Sequence, residues 1–201
     1  RTVLELRGIS CIPLEDMPVP RKGIMSSRSF GTKVRAKRHI LEAVAEYTSR
    51  AAEKLRQQNS AARCLCVFIT TGRFGKPHYS NSLVRSLHTP TQYTPELIRH
   101  AQAAVEKLFK PGYEYTKAGV MLTEIVPQSH MSGDLYEARR RLTRKKSIME
   151  AIDTINRRFG KKTITFAAAG ASQSWKMQQK SLSPSMTTDW NDLPVVKASF
   201  S

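Results

Sequence analysis

The residues best suited to binding phosphate form one stretch near the amino terminus, at positions 26–33 (Ser-Ser-Arg-Ser-Phe-Gly-Thr-Lys). Small hydroxyl side chains and a glycine allow a ligand to approach the backbone closely, and Arg28 and Lys33 add positive charge. Main-chain N–H groups and side chains of these types are common donors to phosphate oxygens. The same stretch also suits the first strand of a sheet that ends in a basic turn, and the two interpretations are compatible.

Residues that could catalyse a reaction are not grouped in this way. Phosphoryl transfer needs carboxylates that hold metal ions at the reacting phosphate. Glu15 and Asp16 lie in a proline-rich segment, and most other acidic residues fall on the polar faces of predicted helices. Residues 72–76 (Gly-Arg-Phe-Gly-Lys) have the wrong spacing for a Walker phosphate loop and are better explained as a turn between strands. The sequence therefore predicts no catalytic residue.

A metal site is not predicted either. Cys64 and Cys66 have no second cysteine pair and no histidine at zinc spacing, and the five histidines show no metal spacing among themselves. Three sparse cysteines also argue against a disulfide framework, so we expect a protein of the reducing cytoplasm. No apolar stretch is long enough to span a bilayer, and we expect no membrane partner.

The charge balance is the strongest compositional signal. The chain has 33 Lys and Arg against 16 Asp and Glu, which gives a formal net charge of +17 over 201 residues. Such an excess destabilises a compact domain by self-repulsion and is usually tolerated where the partner is a polyanion. The basic residues are spread along the chain, which favours folded elements that follow a nucleic-acid backbone. The alternative is a solvated surface whose charge only keeps the protein in solution.

Hydrophobic periodicity predicts six elements in the order β-α-β-β-α-β between residues 23 and 126. The predicted strands cover residues 23–30, 63–71, 79–89 and 115–126, and the predicted helices cover residues 37–58 and 94–110. Two amphipathic helices cannot bury their apolar stripes on each other alone. We therefore expect an α+β fold in which they cover one face of a four-stranded antiparallel sheet, as in the ferredoxin-like split motif. The other sheet face is left free for a ligand.

The flanking segments predict less regular structure. Residues 1–7 suggest the last turns of a helix that Gly8 ends, and three prolines favour an extended tether up to residue 22. Because the chain opens at Arg1, inside helix-like sequence, we expect it to be a piece of something longer. Residues 127–146 are polar and increasingly basic and suggest a linker. Residues 147–159 return to helix spacing, residues 163–169 suggest a short strand, and the remainder is irregular.

Several segments together resemble one known family. They are Ser27-Arg-Ser-Phe-Gly31, Ala51-Ala-Glu-Lys-Leu-Arg56, Leu87-His-Thr-Pro-Thr91, Tyr115-x-Lys-Ala-Gly-Val-Met-Leu122, Met149-x-x-Ile-Asp-x-Ile-Asn-x-Arg-Phe-Gly160 and Leu182-Ser-Pro-x-x-Thr-Thr188. In this order they resemble the carboxy-terminal part of UmuC-type subunits of Y-family DNA polymerases, the error-prone translesion enzymes of the bacterial SOS response. The resemblance covers nearly the whole chain.

The resemblance implies a domain plan. Residues 1–22 would be the end of the thumb and its tether, residues 23–126 the little-finger domain that lies along the template–primer duplex, residues 127–146 a linker, and residues 147–201 the carboxy-terminal extension. The palm, with its metal-binding carboxylates, would precede Arg1. Mg²⁺ and dNTP are therefore expected only with that palm, and no cofactor is expected in this fragment, which is not an enzyme on its own.

The resemblance and the residues together predict the contacts. Phosphates of duplex DNA would be bound by ten residues of the little finger: Ser27, Arg28, Ser29, Gly31, Lys33, Arg35, Thr71, Arg73, Lys76 and Lys117. Residues 132–136 align with the family's clamp-binding peptide. There Leu135 and Tyr136 keep the apolar-aromatic anchor, but Ser132 replaces the usual glutamine. This replacement weakens the prediction of clamp binding, and an ordinary linker remains the alternative. The sliding clamp, the UmuD partner and RecA filaments are the implied protein partners.

Two other functions remain open on the residues alone. An RNA-binding module of ferredoxin-like topology would stack bases on aromatic side chains of its strands, but residues 80–88 carry no aromatic residue at the matching places. A protein–protein adaptor would use the charge only for solubility. Competition between primed DNA and structured RNA distinguishes an RNA-binding module from a DNA-binding domain. An absence of nucleic-acid binding at low salt would select the protein–protein adaptor.

Overall fold

The computed structural model describes residues 1–12, 20–72, 77–130, 139–177 and 193. After a short helix, α1 (Thr2–Leu6), the six central elements are β1 (Ile24–Val34), α2 (Lys37–Gln57), β2 (Ser60–Thr71), β3 (Ser80–Thr91), α3 (Thr94–Leu108) and β4 (Tyr115–Pro127). A 3₁₀ turn (Gln128–His130), α4 (Arg139–Arg158) and a second 3₁₀ turn (Ala167–Ala169) follow. None of the described helices is long and apolar enough to cross a membrane.

The four strands form one antiparallel sheet in the order β1-β4-β2-β3. The predicted α+β class, element order and antiparallel sheet are confirmed. The ferredoxin-like strand order is not confirmed, because that motif places its first and third strands in the centre of the sheet. Here β4 and β2 are central, while β1 and β3 lie at the edges.

One face of the sheet is buried by α2 and α3. Alternate residues of β2, namely Leu65, Val67 and Ile69, are fully buried in the same core cluster as Val44 of α2 and Leu97 of α3. The intervening residues of β2 point to the opposite face because successive side chains of a strand alternate. None of the described helices packs on that opposite face, which agrees with the sequence-based expectation of a free face.

Two strands are longer than their patterns indicate. β1 continues through Gly31 and Lys33 to Val34, which is buried, and its pairing with β4 is irregular between Ser29 and Val34. β2 begins at Ser60 because the small, fully buried Ala61 pairs there with Val126 of β4. Hydrophobic alternation did not predict either extension because the added residues are mostly small or polar.

The region after β4 differs most from expectation. Helix α4 begins at Arg139, inside the stretch predicted as a linker. The predicted strand at residues 163–169 is wrong, since only a 3₁₀ turn forms there. The side chain of Asn156 binds both backbone groups of Ile164: its Oδ1 accepts from the N–H over 2.8 Å and its Nδ2 donates to the carbonyl over 3.0 Å. These groups are thereby satisfied without a neighbouring strand.

Residues 160–177, here called the C-terminal strap, pack on the helical side of the domain. Trp175 is 3% exposed and its ring meets Phe30 of β1 and Tyr47 of α2 edge to face. The ammonium group of Lys162 lies 2.6 Å from a carboxylate oxygen of Glu46 on α2. The buried Ala169 joins a smaller apolar cluster with residues of α2 and α3. The strap is therefore continuous with the core.

Candidate nucleic-acid interface

The strand register arranges the free face in rows that cross all four strands. One row contains Ser27, Gly119, Phe68 and Ser82, and the next contains Ser29, Lys117, Thr70 and Ser80. We call these two rows the hydroxyl rows. They bring together Ser27, Ser29 and Lys117, which the sequence predicts as DNA contacts, and add hydroxyl groups that it does not single out.

Because Gly119 has no side chain, the surface along the first hydroxyl row is shallow. A Cβ atom at this position would lie 2.3 Å from Cζ of Phe68 and 2.4 Å from Cβ of Ser27, so no other residue fits without movement. The Phe68 ring can therefore lie across the β4 backbone. Nζ of Lys117 is 6.0 Å from the centroid of that ring. The result is a shallow surface of small side chains with one positive charge above it.

A third row beside the hydroxyl rows is apolar. It consists of Met25, Met121, Cys66 and Val84, again one residue from each strand. Met25 and Val84 are 51% and 63% exposed. Burial raises the pKa of the Cys66 thiol, which keeps it protonated and weakly nucleophilic near neutral pH. Among the predicted cations that the structure describes, Lys117 is the one on the free face.

Arg28 is not on this face. Strand alternation places it with Phe30 on the helical side, at the outer edge of β1. There it influences Tyr47: burial raises the pKa of Tyr47 to about 12, and the positive charges of Arg50 and Arg28 act in the opposite direction. The structure therefore separates Arg28 from the neighbouring serines with which the sequence grouped it.

The backbone of Gly31 is already engaged. Its N–H donates to the carbonyl oxygen of Trp175 over 3.0 Å, and a Cβ atom there would lie 2.6 Å from the carbonyl oxygen of Lys176. This N–H is not available to a phosphate while the strap is docked. The glycine is needed at this position for the close approach of the strap.

Lys33 and Arg35 share one acidic partner. Nζ of Lys33 lies 2.7 Å from Oε2 of Glu114, and Nε of Arg35 lies 3.0 Å from Oε1. Hydrogen bonds from Lys33 and Arg35 hold the pKa of Glu114 below its usual range. The side chains of both cations are more than half exposed, so the three residues form a rim group of net charge +1 beside the sheet. No sequence motif pointed to Glu114, whose one distinguishing feature was its position just before a predicted strand.

Thr71 has a structural role, which corrects its prediction as a phosphate contact. It is 6% exposed, and its hydroxyl accepts a hydrogen bond from the backbone N–H of Tyr79 over 2.8 Å. The group thereby closes the connection between β2 and β3. Four further predicted contacts lie outside the described residues: Arg73, Lys76, Leu135 and Tyr136.

Two family descriptions match the chain. Residues 21–135 match the impB/mucB/samB family C-terminal domain, and residues 146–196 match a domain of unknown function, DUF4113. A Y-family DNA polymerase chimera of Dbh and Dpo4 aligns with a TM-score of 0.42 and 12% identity, over 62% of this chain and 34% of the chimera. A likeness at that level does not by itself establish a shared fold.

Three similar curated proteins come from bacteria. Protein SamB from Salmonella typhimurium and protein UmuC from its strain LT2 are each 38% identical over 199 residues, which is 98% of this chain. Protein MucB from Escherichia coli is 36% identical over 197 residues. The chain spans about half the length of these relatives, 47% of SamB and UmuC and 46% of MucB. The resemblance to UmuC-type proteins is confirmed, and since the first match covers more than half of the 201 residues, the chain belongs to the impB/mucB/samB family and carries its C-terminal domain.

Proposed function

We propose that this chain binds duplex DNA without selecting its sequence, as the template–primer grip of a translesion DNA polymerase of the SOS response. The observation that carries the proposal is the pair of hydroxyl rows on the free face. Besides Gly119 and Phe68 they present small hydroxyl side chains and one lysine across four strands, and they contain no Arg, Asn or Gln, which commonly form bidentate contacts with base edges. Contacts of this kind position a duplex but do not read it.

Three groups of residues supply the contacts in this proposal. Ser27, Ser29 and Lys117 bind phosphates from the free face, and Lys33 and Arg35 bind from the rim beside it. Arg73 and Lys76, which follow β2 in the sequence but lie outside the described residues, remain predicted contacts. Thr71 is excluded because it is buried, and Gly31 because its N–H is occupied.

The catalytic step would belong to the rest of the parent protein. Nucleotidyl transfer needs paired carboxylates that hold Mg²⁺ at the dNTP, and in this proposal they belong to a palm outside this chain, which spans about half the length of its curated relatives. This segment would keep the duplex in register while that chemistry proceeds in the cytoplasm. The sliding clamp, UmuD and RecA stay candidate partners, with Leu135 and Tyr136 as the predicted clamp anchor.

The experiment is a fluorescence anisotropy titration of the chain with two primed duplexes of unrelated sequence at three salt concentrations. If about five phosphates are neutralised, both duplexes should give a log–log slope of roughly −4 to −5 and similar affinities. A flat salt response, or strong preference for one sequence, contradicts the proposal. Structured RNA is the competitor that tests the alternative function, which is RNA binding.

The RNA-binding alternative has less structural support. In the described part of the free face Phe68 is the one aromatic side chain, and its ring lies close against Gly119. The strands that would carry stacking residues in a ferredoxin-like module, the first and the third, are the edge strands here. Effective competition by structured RNA, with weak competition by DNA, would reverse this preference.

A further inference from the structure

The first eight residues of α4 carry an unusual concentration of positive charge. Six of them, Arg139, Arg140, Arg141, Arg144, Lys145 and Lys146, are basic, and the first carboxylate of the helix is Glu150. We call residues 139–146 the basic half of α4. Cations near the amino end of a helix oppose its dipole and repel one another, so this arrangement is unfavourable in isolation. A bound polyanion would relieve both effects.

The second half of α4 holds the basic half in a fixed place. Nε and Nη2 of Arg56, on α2, lie 2.6 and 2.8 Å from the two carboxylate oxygens of Asp153. Both side chains are at most 17% exposed, and Met149 is 2% exposed. One turn earlier, Nζ of Lys145 lies 5.3 Å from the ring centroid of Tyr93. The helix is thus fastened to the domain and is not a tethered tail.

These contacts place the basic half at one end of the sheet. Tyr93 follows the last residues of β3, and Lys117 lies near the start of β4, which is the opposite end of the sheet. From Lys117 to Pro127, ten residues along β4, the distance is about 33 Å at roughly 3.3 Å per residue. One turn of B-form DNA is about 34 Å. The sheet between Lys117 and the end nearest the basic half is therefore about as long as one turn of B-form DNA.

We propose that the basic half of α4 is a second phosphate-binding surface, which contacts the same duplex about one helical turn from the Lys117 end. The inference rests on the proposed function but assigns a DNA contact to a segment outside the hydroxyl rows. Arg144 is exposed and has no carboxylate partner within the described part of the chain. Within the described residues Lys146 pairs with Glu150, at 3.8 Å and with both side chains more than half exposed. Neither group needs to leave a buried partner in order to bind phosphate.

Duplex length provides the test. The chain is titrated by anisotropy with blunt duplexes of about 8 and about 20 base pairs, since only the longer one extends past one turn of roughly 10 base pairs. The variant R144A/K146A should bind the short duplex as the unchanged chain does. On the long duplex its salt slope should be smaller in magnitude by about 2, because two phosphate contacts are lost.

The matched control removes two exposed cations from α3. The variant R99A/K107A has the same net charge as R144A/K146A and loses no ion pair that the structure shows. It should affect long and short duplexes alike. If R144A/K146A leaves the long duplex unaffected, or weakens both lengths equally, the second surface is refuted, and an acidic protein becomes the partner to seek. If the unchanged chain binds neither duplex, the proposed function itself fails.

Discussion

The carbonyl oxygen of Trp175 accepts a hydrogen bond from the backbone N–H of Gly31 over 3.0 Å, which joins the C-terminal strap to the outer edge of β1. An exposed edge strand is a template for unwanted pairing, and coverage by another segment removes that risk. The Trp175 ring adds edge-to-face contacts with Phe30, at 6.2 Å between centroids, and with Tyr47, at 5.9 Å. The strap therefore limits which part of β1 can meet a ligand.

Replacing Trp175 by alanine should strongly destabilise the domain. A buried tryptophan reduced to alanine typically costs about 3–5 kcal/mol, because apolar area and packing contacts are lost together. Urea unfolding followed by circular dichroism measures the change. W175F should lose less, since a ring remains against Phe30 and Tyr47. If W175A unfolds at nearly the same urea concentration as the unchanged chain, the strap is not part of the core.

Removing the carboxylate of Asp153 should also be costly. Arg56 would stay buried without its charge partner, and among the described residues it would retain the hydrogen bonds that its Nη1 donates to the carbonyl oxygen of Gln92 and to Oγ1 of Thr94. Breaking a buried ion pair on one side typically costs about 3–5 kcal/mol. D153A should therefore be less stable than the double variant R56M/D153L, in which no charge is left unpaired. Equal stabilities in urea would mean that solvent reaches this pair.

The elements of the fold were largely predictable because the signals that define them are local. The alternation from Cys64 to Thr70 and the apolar stripe of α2 specify a strand and a helix without reference to the rest of the chain. The strand order was not predictable in this way, since it depends on which distant strand pairs with β4. The docking of Trp175 was missed for the same reason: nothing near residue 175 signals a contact with Gly31.

The candidate site shows the same division. The sequence identified Ser27, Ser29 and Lys117, and the structure places them on one face. It grouped Arg28 with them because they are adjacent in sequence, although adjacent residues of a strand point to opposite faces. Thr71 was predicted to contact phosphate because, like Ser29, it has a small hydroxyl side chain. Its hydrogen bond with Tyr79 shows that this hydroxyl is already engaged. Pairing between distant residues was the missing information.

Stability should fall on acidification in part through Glu46. Burial acts to raise the pKa of Glu46, but Lys162 and Arg50 outweigh it, and the pKa lies below its ordinary value of 4.5. A carboxylate with a depressed folded-state pKa stabilises the fold above the unfolded-state pKa, and that contribution disappears as the pH falls through the folded-state value. Urea midpoints between neutral pH and about pH 3 should therefore decline less steeply for E46Q. Parallel declines in the two proteins would contradict this assignment.

The two faces of the sheet should respond differently to loss of a charge. K117A removes a cation from the free face and should weaken binding to every duplex about equally, with a salt slope smaller in magnitude by about 0.9. R28A removes the same charge from the helical side, one strand away, and is the matched control. Anisotropy titrations of both variants on one primed duplex decide the matter. A larger effect for R28A would place the duplex along the outer edge of β1 instead of the free face.

Glu114 offers a variant that should bind DNA more tightly. Its carboxylate accepts hydrogen bonds from Lys33 and Arg35, so a phosphate must compete with it for both cations. E114Q keeps the size of the side chain and removes its charge, which leaves the rim group with a net charge of +2. The affinity for any duplex should rise, and the salt slope should become steeper, because more counterions are released per duplex bound. The control is E106Q, which frees the single cation Lys37 on α2, away from the free face. If the two variants raise affinity equally, overall charge explains the gain, and the rim group has no special part in binding.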